Sequence, residues 1–347
     1  VNYNDQLKML KQKNGNAEKW IKFVPGFTES GYLDKVFKSQ ITPKEADSMS
    51  PGEVTLEMSR AAMGWPSKDI ATNEMKIANE IFDGNIPVRI YRKAKLAGSL
   101  PVIVFLHGGG FFGGSLDNVD HPCRLLADKG DIAVISIDYG LAPENKYPEG
   151  LLDCYRAVKW IYEHSESLGV NEEKIAIAGD SAGGNLSITT TLLDRTLGTN
   201  FIKAEVLLYA TVMRGINGQG ELWDDSKLEM KEDVEIITNY VKGFGNLDVQ
   251  VDKWYLNPGV DASNPFISPV HSKDLAFLPP TMIAVGEFDP LRLQNELLVD
   301  KLRAAKVPTQ YIQYNGMIHA FMDQIGDLPQ AEDLMEETVN FVLEVLN

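Results

Sequence analysis

The chain has 347 residues, 44% of them hydrophobic and 24% charged, with a formal net charge of −16. That composition is ordinary for a globular protein, and a chain this long buries enough core to need no disulfide or metal staple. The acidic balance argues against a nucleic-acid partner, which would want a basic face.

Residues 1–72 are polar, read as helical and carry no strand signal. MKIANEIFDGNIPVRIYRK (75–93) follows as two strands around a Gly84-Asn85 turn, an antiparallel pair at one sheet edge. From residue 101 the chain alternates. PVIVFLH (101–107), DIAVISID (131–138), KIAIAG (174–179), AEVLLYA (204–210), TMIAVGEFD (281–289) and TQYIQY (309–314) read as buried strands. Helices are expected near 119–129, 151–168, 182–197, 293–306 and 329–346. Strand and helix in series predict right-handed crossovers and a mostly parallel α/β sheet covered on both faces. Residues 211–262 break the rhythm with helical stretches only, and with the N-terminal stretch they form a candidate lobe over the sheet.

Cys123 and Cys154 fall in helical stretches with no metal-ligand spacing and read as buried thiols. No basic-then-apolar segment opens the sequence, which begins at Val1 without methionine and so leaves a trimmed N-terminus open, and there is no 18-residue apolar run; a cytoplasmic protein without a membrane span is expected.

KIAIAG runs into Gly179-Asp180-Ser181-Ala182-Gly183, a G-x-S-x-G pattern at a strand-to-helix junction. Such a pattern arises by chance in roughly one chain in ten of this length, so its place between strand and helix matters. That place suits a nucleophile elbow; the competing reading is a plain helix N-cap serine. A serine hydroxyl needs a base, and in this chain order an acid and then a histidine should follow. His271 lies in a Pro-rich loop. His319 follows the last strand and precedes the last helix, at the carboxyl end of the sheet where such folds place sites. Asp289 ends the strand before it and is the candidate acid, with Glu287 two residues earlier in reserve.

HGGGFFGG (107–114) follows the first buried strand and contains G-x-G-x-x-G, with Asp138 further on as a candidate ribose partner. A dinucleotide loop opens its helix inside the glycine motif, whereas FFGGSLDNVDHP continues as loop. The better reading is an oxyanion loop: Gly109 and Gly110 donate backbone N–H groups, and Ala182, after the nucleophile, donates a third. Trp20, Phe23, Phe27, Trp223, Trp254 and Tyr255 are aromatic candidates for an acyl pocket or for the core of the lobe.

HGGGFFGGS, DYGLAPE, GDSAGGN, DPLR and NGMIHAF together resemble the bacterial hormone-sensitive-lipase-like carboxylesterases of the α/β-hydrolase fold, from about residue 75 onward. The resemblance implies an eight-stranded core (75–210 and 263–347) under a helical cap from residues 1–74 and 211–262. It also implies a Ser181, Asp289 and His319 triad and hydrolysis of esters with short or medium acyl chains through an acyl-enzyme. Amide or lactone hydrolysis uses the same triad, and the resemblance also takes in receptors with a disabled triad. No metal or cofactor is expected; the partner is a small-molecule ester, and edge strands leave room for a homodimer. Gly140, Leu293, Gln294 and Ala320 depart from the family pattern without touching the triad.

Overall fold

The computed structural model describes residues 2–11, 14–16, 19–41, 55–64, 67–215 and 225–347. Within its sheet the strands β5 (Leu100–Leu106) and β6 (Ala133–Ile137) are parallel neighbours joined by α4 (Asp120–Lys129). Nearly every residue of both strands is buried, as expected of strands covered on two faces. Side chains alternate between faces. Ile103 and Phe105 enter one core cluster, while Val102, Val104 and Leu106 enter the other. The first core takes in α4 and α10 (Pro329–Leu346); the second takes in α5 (Glu149–Glu163).

The remaining strands are β7 (Val170–Asp180), β8 (Ile202–Leu208), β9 (Thr281–Gly286) and β10 (Thr309–Tyr314), all parallel to their neighbours as the alternation predicts. The expected hairpin is β3 (Met75–Phe82) with β4 (Ile86–Lys93), antiparallel in register from Met75↔Lys93 to Phe82↔Ile86.

The N-terminal region departs from expectation. It carries β1 (Asn14–Asn16) and β2 (Lys19–Lys22), and β2 pairs in parallel with β10, Trp20 opposite Ile312 and Lys22 opposite Tyr314. The sheet therefore has ten strands, in the order β1-β2-β10-β9-β8-β7-β5-β6-β4-β3, not eight. The sequence hides β2 because it is short and flanked by lysines. Lys22 is nonetheless fully buried, its ammonium paired with Asp333 at 3.1 Å and Glu337 at 2.7 Å and donating to Leu10 O at 2.8 Å. A buried charge is tolerated only with such partners. The same region also holds the short helices α1 (Tyr3–Leu10), α2 (Lys35–Ile41) and α3 (Leu56–Ala61).

The short α6 (Ser165–Leu168) follows α5, and α9 (Arg292–Ala304) joins β9 to β10. Two more helices shape the site. α7 (Ala182–Thr196) starts from the end of β7, and α8 (Val234–Tyr255) belongs to the stretch between β8 and β9. Among the described residues no helix is long and apolar enough to cross a membrane.

Candidate active site

Ser181 stands between β7 and α7 with φ +54° and ψ −115°, a conformation that costs an L-residue strain. It holds the N-cap position, but its side chain makes no capping bond. Its hydroxyl turns instead to His319, with Oγ 2.8 Å from Nε2. The plain N-cap reading of this serine fails on that geometry. Glycines make the turn feasible. A Cβ on Gly179 would lie 2.5 Å from the carbonyl carbon of Gly183 and 2.7 Å from Leu106 O.

His319 Nδ1 lies 2.9 Å from Asp289 Oδ2. Asp289 is 1% exposed, and its other oxygen accepts the Leu291 N–H at 2.7 Å. Phe244 of α8 sets its ring edge-on to His319, centroids 4.9 Å apart. His271 sits elsewhere, in a short 3-10 turn, Pro269–His271. Glu287 does not reach the imidazole: its oxygens accept the N–H groups of Gly31 at 2.7 Å and Gly316 at 2.8 Å.

The glycine loop lies alongside. The Gly108 N–H donates to Asp180 Oδ1 at 2.8 Å. Burial pushes the Asp180 carboxyl up to about 6, against the pull of the Gly108 N–H and of His107 and His319. Gly109 has φ +120° and Gly110 φ +59°, positions where glycine is strain-free. Ala142 N donates to Phe111 O at 2.8 Å, and Tyr139 Oη donates to His107 O at 2.6 Å, so the DYGLAPE stretch packs on the loop. Arg60 of α3 donates to Phe112 O at 2.6 Å and Ala142 O at 2.9 Å and pairs with Glu144, whose carboxyl it holds at about 2. No helix opens inside the glycine motif; α4 begins at Asp120, and Asp138 lies 3.7 Å from His107 Nε2. The dinucleotide reading of the loop fails on the first of those facts.

Gly109, Gly110, Ser181 and His319 line one cavity of about 190 Å³. Ala182 is the first residue of α7, so its N–H has no partner within the helix, and the helix dipole points positive at the same spot. The rest of the wall is mostly apolar: Met63, Phe112, Phe244, Leu247 and Val251. Arg214 also lines it, its guanidinium held by Asp248 and by Asp252 at 2.6 Å.

None of the described aromatic candidates lines this cavity. Tyr255 stacks on Phe111 at 3.9 Å, and Trp254 meets Phe112 edge-on at 4.6 Å, so both buttress the glycine loop from behind. Trp20 is on β2, Phe27 is 45% exposed, Phe23 lies in the same N-terminal stretch, and Trp223 lies outside the described residues. The lining residues that went unremarked, Phe244, Leu247 and Val251, do carry a signal: their spacing of three and four places them on one face of a helix. Among the described residues no group of three His, Cys, Asp or Glu is placed to hold a metal.

Comparisons with known proteins agree with this architecture. Residues 103–323 match a family of α/β-hydrolase fold. The chain is 33% identical over 267 residues to an arylesterase of Saccharolobus solfataricus, covering 72% of this chain and 77% of that one. It is 34% identical over 235 residues to the esterase LipI of Mycobacterium tuberculosis, covering 67% and 69%. Among solved structures it resembles a hyperthermophilic esterase of Pyrobaculum calidifontis, with a TM-score of 0.73, 28% identity and 90% and 98% of the two chains covered. On the match, the identity and the fold together, the chain belongs to the α/β-hydrolase family, in its hormone-sensitive-lipase-like carboxylesterase branch.

Proposed function

We propose that this protein hydrolyses carboxylic esters through an acyl-enzyme formed on Ser181. The observation that carries the reading is the unbroken chain of contacts from Ser181 Oγ to His319 Nε2 (2.8 Å) and from His319 Nδ1 to Asp289 Oδ2 (2.9 Å). His319 takes the hydroxyl proton as Ser181 attacks the ester carbonyl. Asp289 holds the Nδ1–H tautomer and stabilises the imidazolium. The N–H groups of Gly109, Gly110 and Ala182 receive the oxyanion; one such donor is worth about 3 kcal/mol in the transition state. His319 then returns its proton to the leaving alcohol and activates the water that releases the acid.

The cavity of about 190 Å³ with its apolar walls supports a short or medium acyl chain. The chemistry of every step is carried by side chains and backbone amides. Cys123 and Cys154 are buried free thiols, which supports a reducing, cytoplasmic setting.

Turnover of p-nitrophenyl butyrate and covalent labelling by a fluorophosphonate probe test the reading together. Ser181→Ala should lose labelling and at least about a thousandfold in kcat. A variant that keeps wild-type turnover would overturn it.

A further inference from the structure

Glu287 is 1% exposed and close in sequence to the candidate acid, yet it touches neither Ser181 nor His319. Its two carboxylate oxygens are spent on two backbone N–H groups from distant parts of the chain. Oε1 accepts from Gly31 at 2.7 Å and Oε2 from Gly316 at 2.8 Å. Gly316 opens the turn that ends in His319. The Glu287 backbone is fixed as well: its N–H donates to Tyr314 O at 2.9 Å, and Arg292 Nη1 donates to its carbonyl at 2.9 Å.

The same turn is gripped at further points by the N-terminal segment. Asn315 N donates to Lys22 O at 2.9 Å, and Asn315 Nδ2 to Ser30 Oγ at 2.9 Å. Asp34 N donates to Gly316 O at 3.0 Å. Gly316 has φ +74°, and a Cβ there would stand 3.0 Å from Tyr32 O, so the turn and the segment are fitted without slack. The Gly31 peptide reaches a third element: its carbonyl accepts from Lys231 N at 2.9 Å, just before α8.

We propose that Glu287 is a positioning residue for His319. Its bidentate grip on Gly31 and Gly316 makes residues 30–34 part of the holder of the base and ties that holder to the stretch entering α8. The inference rests on the reading of His319 as the base.

The argument is stereochemical. An ionised carboxylate accepts on both oxygens, and charge-assisted bonds to N–H groups are about twice as strong as neutral ones. Glutamine at this position keeps the shape but turns an NH2 group toward one of the two N–H donors, so one strut is replaced by repulsion. A base displaced by a fraction of an ångström slows proton transfer without emptying the substrate pocket.

The test compares wild type, Glu287→Gln and Ser30→Ala. Each is titrated to completion with a fluorophosphonate to count reactive sites, and its labelling rate, kcat and KM are then measured with p-nitrophenyl butyrate. The expected result for Glu287→Gln is a full complement of labelled sites, labelling and kcat both slower by about tenfold or more, and KM within about twofold. Ser30→Ala, which removes only the Asn315 strut, should lower kcat per site by about two- to fivefold with KM unchanged. A Glu287→Gln protein with wild-type rates per site overturns the proposal. So does one whose loss is entirely a lower count of reactive sites, since that marks a purely structural role. If Glu287→Gln does not fold, Ser30→Ala decides, and wild-type rates there overturn the proposal. If wild type itself is not labelled, the reading of Ser181 and His319 fails, and the proposal falls with it by a separate result.

Discussion

Gly183 lies so close to His107 that a Cβ on it would stand 2.5 Å from the His107 carbonyl oxygen. The same atom would press into the carbonyl of Leu106. The first turn of α7 and the exit of β5 are therefore in backbone contact, which brings the serine turn and the glycine loop to one point. Gly183→Ala must push them apart. Overpacking of this kind costs about 1–3 kcal/mol, and the displacement should lower kcat by about a hundredfold. Thermal melts and kcat on the same sample check both halves; an alanine variant with normal kcat would refute the contact.

Asp180 gives a pH signature. Its carboxyl is buried and raised from 3.8 to about 6, chiefly by desolvation. A raised folded pKa favours the protonated form in the native state. The stability it contributes is complete below about pH 4 and is lost as the pH rises through 6, an effect of up to about 3 kcal/mol. Asp180→Asn keeps an acceptor for the Gly108 N–H and removes the titration. Urea unfolding at pH 5 and pH 8 should show the variant gaining on wild type at the higher pH. Equal pH dependence in the two proteins would contradict this.

Arg214 is held between two carboxylates of α8 and sits 5.8 Å from the Phe111 ring. Removing the guanidinium takes it from Asp248, which is buried, and from Asp252, which is part-buried and keeps the Gly215 N–H at 3.1 Å. Arg214→Met should cost about 3–5 kcal/mol. Adding Asp248→Asn and Asp252→Asn should restore part of that loss, because the penalty includes the charge of two carboxylates that have lost their guanidinium and not lost volume alone. Denaturant midpoints of the single and triple variants separate the two causes.

Leu247 lines the cavity and is 41% exposed, so it tolerates a larger side chain better than buried Val251. Leu247→Trp should shorten the acceptable acyl chain. The ratio of kcat/KM for octanoate over butyrate esters should fall by about tenfold, the scale of a methylene or two in an apolar pocket. An unchanged ratio would place the acyl chain elsewhere in the cavity.

Much of this was legible in the sequence because it was written locally. β7, the glycine-flanked serine and α7 are consecutive, and a strand ending near Asp289 and a turn ending at His319 follow in order. The buried strands announce themselves by apolar residues on both faces. What stayed hidden depends on partners far away. β2 reads as polar because Lys22 looks exposed until Asp333 and Glu337 of α10 are placed beside it. The cavity-facing side of α8 has helical spacing, but which face turns inward is set by Gly110 and His319, not by the helix. The chemistry of Trp254 and Tyr255 suits an acyl pocket or the core of a lobe alike, and only the rings of Phe111 and Phe112 place them, behind the loop.

The pairing of β2 with β10 has a consequence for synthesis. During translation residues 19–22 leave the ribosome about 290 residues before their sheet neighbour at 309–314. The edge of the sheet, and with it the turn carrying His319, is sealed by one of the longest-range contacts in the molecule, which makes it slow to form. A nascent chain halted anywhere before residue 309 carries Ser181 and α7 but lacks β10 and the turn that sets His319 Nε2 2.8 Å from Ser181 Oγ.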